Sequence, residues 1–319
     1  MFSISAVRVV FYFIALILQM HENLYIQISR YSQPLIIFFG TIGALINQIL
    51  FRRREFLRKT SCSFYFRVSS FNDLLVLYII VLTQWAHDQF NFDFKNRSHS
   101  LCKLHTYAMY CLYAISPYCT VLVCIDRFCR TSKSIRIRRL STQRNAHRIT
   151  FFVVSFIGLI YIHILFYFRL INSICNPINH SYYHFLGSFL MIFFCFLPPS
   201  LMFIFSCSTL ILLRRRREKQ LKQYNLRILP ARHRRYHRHY QLIKILCLYI
   251  ITNIICTLPF ACLILIHVYY HQSNSRIRSY IKYSVLLCNV NYSTSFYLYT
   301  LHTPIYRREL FAWIRSMFY

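Results

Sequence analysis

Apolar residues in this chain run in long blocks. They do not alternate as in a half-buried strand or recur every three to four positions as in a helix on a soluble core. Seven blocks reach the roughly 20 residues that a helix needs to cross a bilayer: 33–51, 64–85, 104–127, 149–170, 184–213, 242–268 and 278–303. The short alternating segments of a transmembrane barrel are not the pattern. The blocks predict an all-α fold, a bundle of seven transmembrane helices. An eighth block, 9–20, follows Arg8, and its length suits a signal-peptide core better than a span. Gln19-Met20-His21-Glu22 offers no small-residue cleavage site, so a signal peptide and an uncleaved tail fit it equally. The expected organisation is a tail over 1–32, a transmembrane domain over 33–303 and a short helix and tail over 304–319.

Composition agrees. A length of 319 residues would allow two soluble domains, but 56% of the residues are hydrophobic, 18% aromatic and only 14% charged, against about 25% charged in soluble proteins. Four glycines leave no room for glycine-rich nucleotide loops. Eight acidic residues against 38 Lys and Arg give a net charge of +30. With the amino terminus outside, 29 of those 38 cations fall on the inner side, 12 of them in the stretch 214–244. Positive charge stays cytoplasmic, so the chain is expected as a multi-pass plasma-membrane protein with an extracellular amino terminus. The basic stretch also suits the anionic inner leaflet. Nucleic acid is not an expected partner of so apolar a protein.

Of the acidic residues, only Asp73 and Asp126 fall within or at the edge of a predicted span, where an ionisable group is costly and marks function. Asp73 lies in Ser69-Ser70-Phe71-Asn72-Asp73-Leu74-Leu75, and Asp126 in Cys124-Ile125-Asp126-Arg127-Phe128. With these residues the chain resembles the rhodopsin-like (class A) G-protein-coupled receptors. Asp126-Arg127-Phe128 is similar to the family's Asp-Arg-Tyr motif, and Cys102 stands at the family's spacing of 25 residues before Arg127. Asp73 matches the span-two Asp. Cys256-Thr257-Leu258-Pro259 resembles Cys-Trp-x-Pro, with Thr for Trp. Ser295-Phe296-Tyr297-Leu298-Tyr299 occupies the Asn-Pro-x-x-Tyr position and keeps only Tyr299. Tyr306-Arg307-Arg308-Glu309-Leu310-Phe311 resembles the amphipathic helix that lies on the inner leaflet. The likeness runs from Gly43 to about Phe318. Departures are Ala44 for the span-one Asn, no Trp in span four, and Ser206 or Cys207 where span five has Tyr. The wording of 62–66 and 306–310 is most similar to invertebrate neuropeptide (FMRFamide-like) receptors.

The resemblance implies the roles. Cys102 would pair with Cys175, the only cysteine of the second outer loop, on the oxidising side. Asp126 would hold Arg127 at rest, with Tyr299 completing the G-protein switch and Pro259 kinking span six as its hinge. The family's second acid lock is His239 here. Arg127 also reads as an ordinary interfacial arginine. Asp73, Ser116, Asn291 and Ser295 match the positions where the family holds sodium, with Tyr292 crowding them; a carboxylate satisfied by its neighbours explains Asp73 equally well. No other cofactor is expected. Met109 replaces the counter-ion of amine receptors and Asn289 the retinal-binding Lys of opsins. The remaining pocket candidates are Tyr107, Tyr110, Phe260, Ile264 and His267, which suit an amidated peptide or an apolar small molecule and read alternatively as packing side chains. Asn96 and Asn179 head sequons on the outer side, while that of Asn291 is buried.

The function expected is a neuropeptide receptor acting on a heterotrimeric G protein, with a small-molecule chemoreceptor of the same fold as the alternative. A transporter or channel would show repeats and Gly/Pro-broken spans, and neither is present. An intramembrane enzyme would need a second catalytic group beside Asp73, and no such constellation or zinc signature appears.

Overall fold

The computed structural model describes residues 22–53, 61–223, 229–269, 275–297, 307, 310–312 and 315. Among the described residues seven long helices form the bundle, and six of them are long and apolar enough to cross a membrane. Span one is Glu22–Arg53. Span two is Ser61–Phe90, broken by a π-turn at Val76–Val81. Span three is His99–Thr131, and span four Gln143–Tyr167. Span five runs over His180–Leu190, a π-turn at Met191–Phe196 and Leu197–Gln223. Span six is Leu229–Tyr269 and span seven Ser275–Phe296. A short helix, Ile135–Leu140, joins spans three and four. The block 9–20, Tyr299 and the side chain of His239 lie outside the described residues, as does most of 304–319.

Several helices overrun their predicted edges. Span one starts at Glu22 inside the presumed tail, and span two continues to Phe90. Spans five and six extend into the basic stretch, where Arg, Lys, Gln and Glu favour helix as much as apolar residues do. Span four starts and ends earlier than expected, at Gln143 and Tyr167, and residues 168–170 belong to strand β1 (Phe168–Ile171). β1 pairs antiparallel with β2 (Ile174–Pro177), with Leu170 opposite Cys175. Asn172 and Ser173, at φ 50° and 62°, make the two-residue turn whose twist matches the strands.

Local chemistry explains the helix irregularities. Pro198 and Pro199 supply no amide hydrogens, and the π-turn of span five sits immediately before them. In span two the Thr83 hydroxyl lies 2.7 and 3.0 Å from the Ile79 and Ile80 carbonyls, and His105 Nε2 of span three lies 3.1 Å from Ile79 O. Pro117 inside span three leaves the Tyr113 carbonyl without its helical donor, and the Tyr292 hydroxyl of span seven donates to it at 2.7 Å. Tyr292 therefore cross-links spans three and seven.

Lipid offers no hydrophobic drive between helices, so close approach depends on small residues. A Cβ on Gly43 would stand 2.7 Å from Cβ of Phe296, and one on Gly40 would meet Leu77 and Ser293. Gly43→Val is expected to cost about 1–3 kcal/mol through overpacking. The thermal midpoint of the purified protein should fall, whereas Leu45→Val, at a side chain 48% exposed, should leave it in place. Equal midpoints for the two variants would refute the close span one–seven contact.

Candidate functional site

Three linked sites run along the bundle. At one end, Ser98 caps span three by accepting from the Leu101 amide at 3.2 Å. One turn further, Cys102 is joined to Cys175 of β2. Asn96 Oδ1 accepts from the Cys175 amide at 2.9 Å, while its Nδ2 donates to Asp93 at 2.6 Å. The hairpin is thus tied to span three and to the loop that precedes it. A cavity of about 300 Å³ lies between spans two, three and seven, with Ile80, Met109, Phe94 and Val285 among its apolar walls. Its ionisable lining is His87, Asp88, Asp93, Lys95, His105 and Lys282. Asp88 is a third membrane-edge carboxylate, missed by a reading that ended span two at residue 85. The signal for it was the polar stripe Tyr25, Ser29 and Gln33 at four-residue spacing on span one, because all three donate to its Oδ2 at 2.8, 3.2 and 3.4 Å.

None of the five pocket residues expected from sequence lines this cavity. Tyr107 donates to the Gly158 carbonyl at 3.1 Å, and Tyr110 stacks on Tyr161 with centroids 6.1 Å apart, so both face span four. Phe260 and Ile264 pack into the apolar interior, and His267 meets Tyr183 edge-on. Helical phase is the reason: His105, Thr106 and Met109 form the cavity face of span three, and Tyr107 and Tyr110 the opposite stripe. The two sequons also separate. Asn96 is already engaged by Asp93 and Cys175, whereas Asn179 is exposed and makes no side-chain cap hydrogen bond.

Mid-bundle, Asp73 is 1% exposed, and its two oxygens accept from Ser116 at 2.6 Å and Ser295 at 2.7 Å. Asn72 Nδ2 donates to Ser116 Oγ and to the Leu112 carbonyl, both at 2.8 Å. Asn291 is buried, and its Oδ1 has no hydrogen-bond partner among the described residues. The Asp73 carboxylate and the Ser116 and Ser295 hydroxyls meet as an all-oxygen cluster, the kind of donor set that suits a hard cation such as sodium, while no contact among the described residues brings Asn291 into it. Above it, the Tyr113 hydroxyl donates to Asn289 Oδ1 at 2.8 Å. Span one contributes Asn47, buried and donating to Ser70 Oγ at 3.1 Å one turn from Ala44.

At the opposite, arginine end, Asp126 is 4% exposed. Its ion pair runs to Arg130 Nε at 3.1 Å, and the Ser141 hydroxyl donates to its other oxygen. Arg130 also donates to Ser141 Oγ and Ser61 Oγ, each at 2.8 Å. Arg127 donates to Cys62 Sγ at 3.1 Å. The expected Asp126–Arg127 lock is therefore corrected to an Asp126–Arg130 lock. Side chains adjacent on a helix diverge by about 100°, whereas one turn on they share a face. Ser61 and Ser141, which complete the node, carry no sequence motif. Pro259 lies inside span six as predicted.

A family model described as 7 transmembrane receptor (rhodopsin family) matches residues 43–296. No curated protein matches the chain.

Proposed function

We propose, from the premise that the chain belongs to the rhodopsin family of seven-transmembrane receptors, that it carries an extracellular neuropeptide signal across the plasma membrane to a heterotrimeric G protein. The chain is a receptor and not an enzyme. The observation that supports the reading is the division of labour along one bundle. A charged cavity sits beneath the disulfide-bound hairpin, and a braced arginine node sits at the far end. The charge asymmetry of the sequence supports an orientation with the cavity outside.

A ligand that fits one arrangement of spans two, three and seven better than the other shifts the population toward it. Tyr292 senses the separation of spans three and seven directly, because its hydroxyl bridges them. Pro259 lets span six bend, and the opening exposes Arg127 to the G protein. Asp73, Ser116 and Ser295 would hold sodium, which when bound offsets the buried carboxylate charge. The cavity's modest volume favours a second reading, a small-molecule chemoreceptor, since about 300 Å³ admits one end of a peptide or a whole small ligand.

The test uses cells expressing the full chain with tags at the amino terminus and within 214–244. The amino-terminal tag should stain intact cells, and members of a peptide library should raise calcium or change cyclic AMP. Staining of the 214–244 tag in intact cells would overturn the orientation. Responses confined to non-peptide compounds would shift the reading to the chemoreceptor.

A further inference from the structure

Receptors of this family that bind amines have a carboxylate at the position of Met109, and its loss argues against a cationic ligand. The structure reverses that argument, because Met109 and Asp88 line the same cavity. We infer that Asp88 is the counter-ion for a ligand bearing a single positive group, an ammonium or guanidinium, seated in the cavity at the disulfide end. The inference rests on the receptor reading above and names the ligand chemistry of its cavity.

The geometry of Asp88 is that of a prepared anion. Tyr25, Ser29 and Gln33 all donate to Oδ2, leaving Oδ1 without a donor among the described residues. These bonds fix the carboxylate against span one and leave its second oxygen free to meet a ligand in the cavity, where a cation would make a charge-assisted hydrogen bond. The other acid in the lining is already engaged: Asp93 accepts from Asn96 at 2.6 Å and faces His87 Nδ1 at 3.6 Å. Lys282 lies on the wall contributed by span seven, with Nζ 5.5 Å from the centroid of the Tyr25 ring. Lys95 and Lys282 also line the cavity, so a second positive group on the ligand would meet like charge there. Ile80, Met109 and Val285 leave an apolar surface for the remainder. A small primary amine and the free amino terminus of a peptide share this chemistry.

The experiment is a thermal-shift titration of the purified full-length chain, which reads binding independently of any G protein. The probes are 2-phenylethylamine and its N-acetyl derivative, and a phenylalanine-led tripeptide amide with a free or acetylated amino terminus. At least one cationic probe should raise the midpoint in a saturable way, and its neutral twin should not. Which pair responds identifies the small-amine or the peptide source. Asp88→Asn keeps an oxygen for the span-one donors and should weaken the cationic probe by more than about tenfold. If that variant is unstable without ligand, Asp88→Glu, which restores the charge, should recover the preference. Acetylated probes that stabilise equally, no stabilisation by either cation, or an unchanged titration in Asp88→Asn would each overturn the assignment. A failure of signalling with binding intact would instead count against the G-protein reading alone.

Discussion

Arg127→Ala is expected to abolish ligand-stimulated nucleotide exchange on the G protein while ligand binding persists, and Asp126→Asn is expected to raise exchange without ligand. The two effects separate because the residues have different partners. Asp126 is almost fully buried and compensated by Arg130 and Ser141, so neutralising it strands Arg130. Stranding a buried charge costs about 3–5 kcal/mol. The Arg130 side chain is 31% exposed, which discounts the figure to about 1–2 kcal/mol. That cost falls on the arrangement containing the pair, and about 1.4 kcal/mol is a tenfold change in population. Basal exchange should therefore rise by about five- to thirtyfold. Arg130→Ala should do likewise, which a lock between Asp126 and Arg127 would not produce. Guanine-nucleotide binding to membranes from the three variants measures all of this. Wild-type coupling by Arg127→Ala would reduce the arginine to an interfacial charge.

Cys102→Ser, Cys175→Ser and the double variant are expected to lose the same large fraction of surface protein. The disulfide closes a loop with a sequence separation of 73, and a cross-link of this span contributes about 4 kcal/mol in the chain-entropy picture. Without it the hairpin is held to its surroundings by the bond that the Cys175 amide donates to Asn96 Oδ1 and the 3.4 Å bond that the Leu170 amide donates to His99 Nδ1. These are too few to hold a turn whose Asn172 and Ser173 both occupy the left-handed region. Flow cytometry of tagged cells gives the loss. An additive double variant, or two alkylatable thiols in the wild-type protein, would show that the cysteines act separately.

The seven helices were legible because a bilayer imposes a length on apolar blocks that no other architecture requires. The Asp73–Ser116–Ser295 cluster was legible too, because it depends on positions counted along uninterrupted helix from a motif. Side chains counted across an irregularity were not. The π-turn of span two lies between Asp73 and Asp88, and the one of span five between the hairpin and Pro198. Asp88 also escaped because hydropathy sees where apolar residues stop, while the helix runs on to Phe90 under its own hydrogen bonds. The Arg130 partnership was hidden for a simpler reason: proximity in sequence is not proximity on a helix. Pro117 and Tyr292 form a pair only when a missing amide on one span is matched to a hydroxyl on another, a coincidence no single segment reveals.

The π-turn of span two divides that helix into two segments whose facing directions are set separately. Removing one residue from 76–81 would restore a continuous α-helix and rotate everything beyond it by about 100°. Asp88 would swing away from Met109, while Asp73 kept Ser116 and Ser295. A one-residue deletion or insertion there is thus a means by which a lineage of such receptors could exchange one set of recognition residues for another in a single genetic event, with the transmission core untouched.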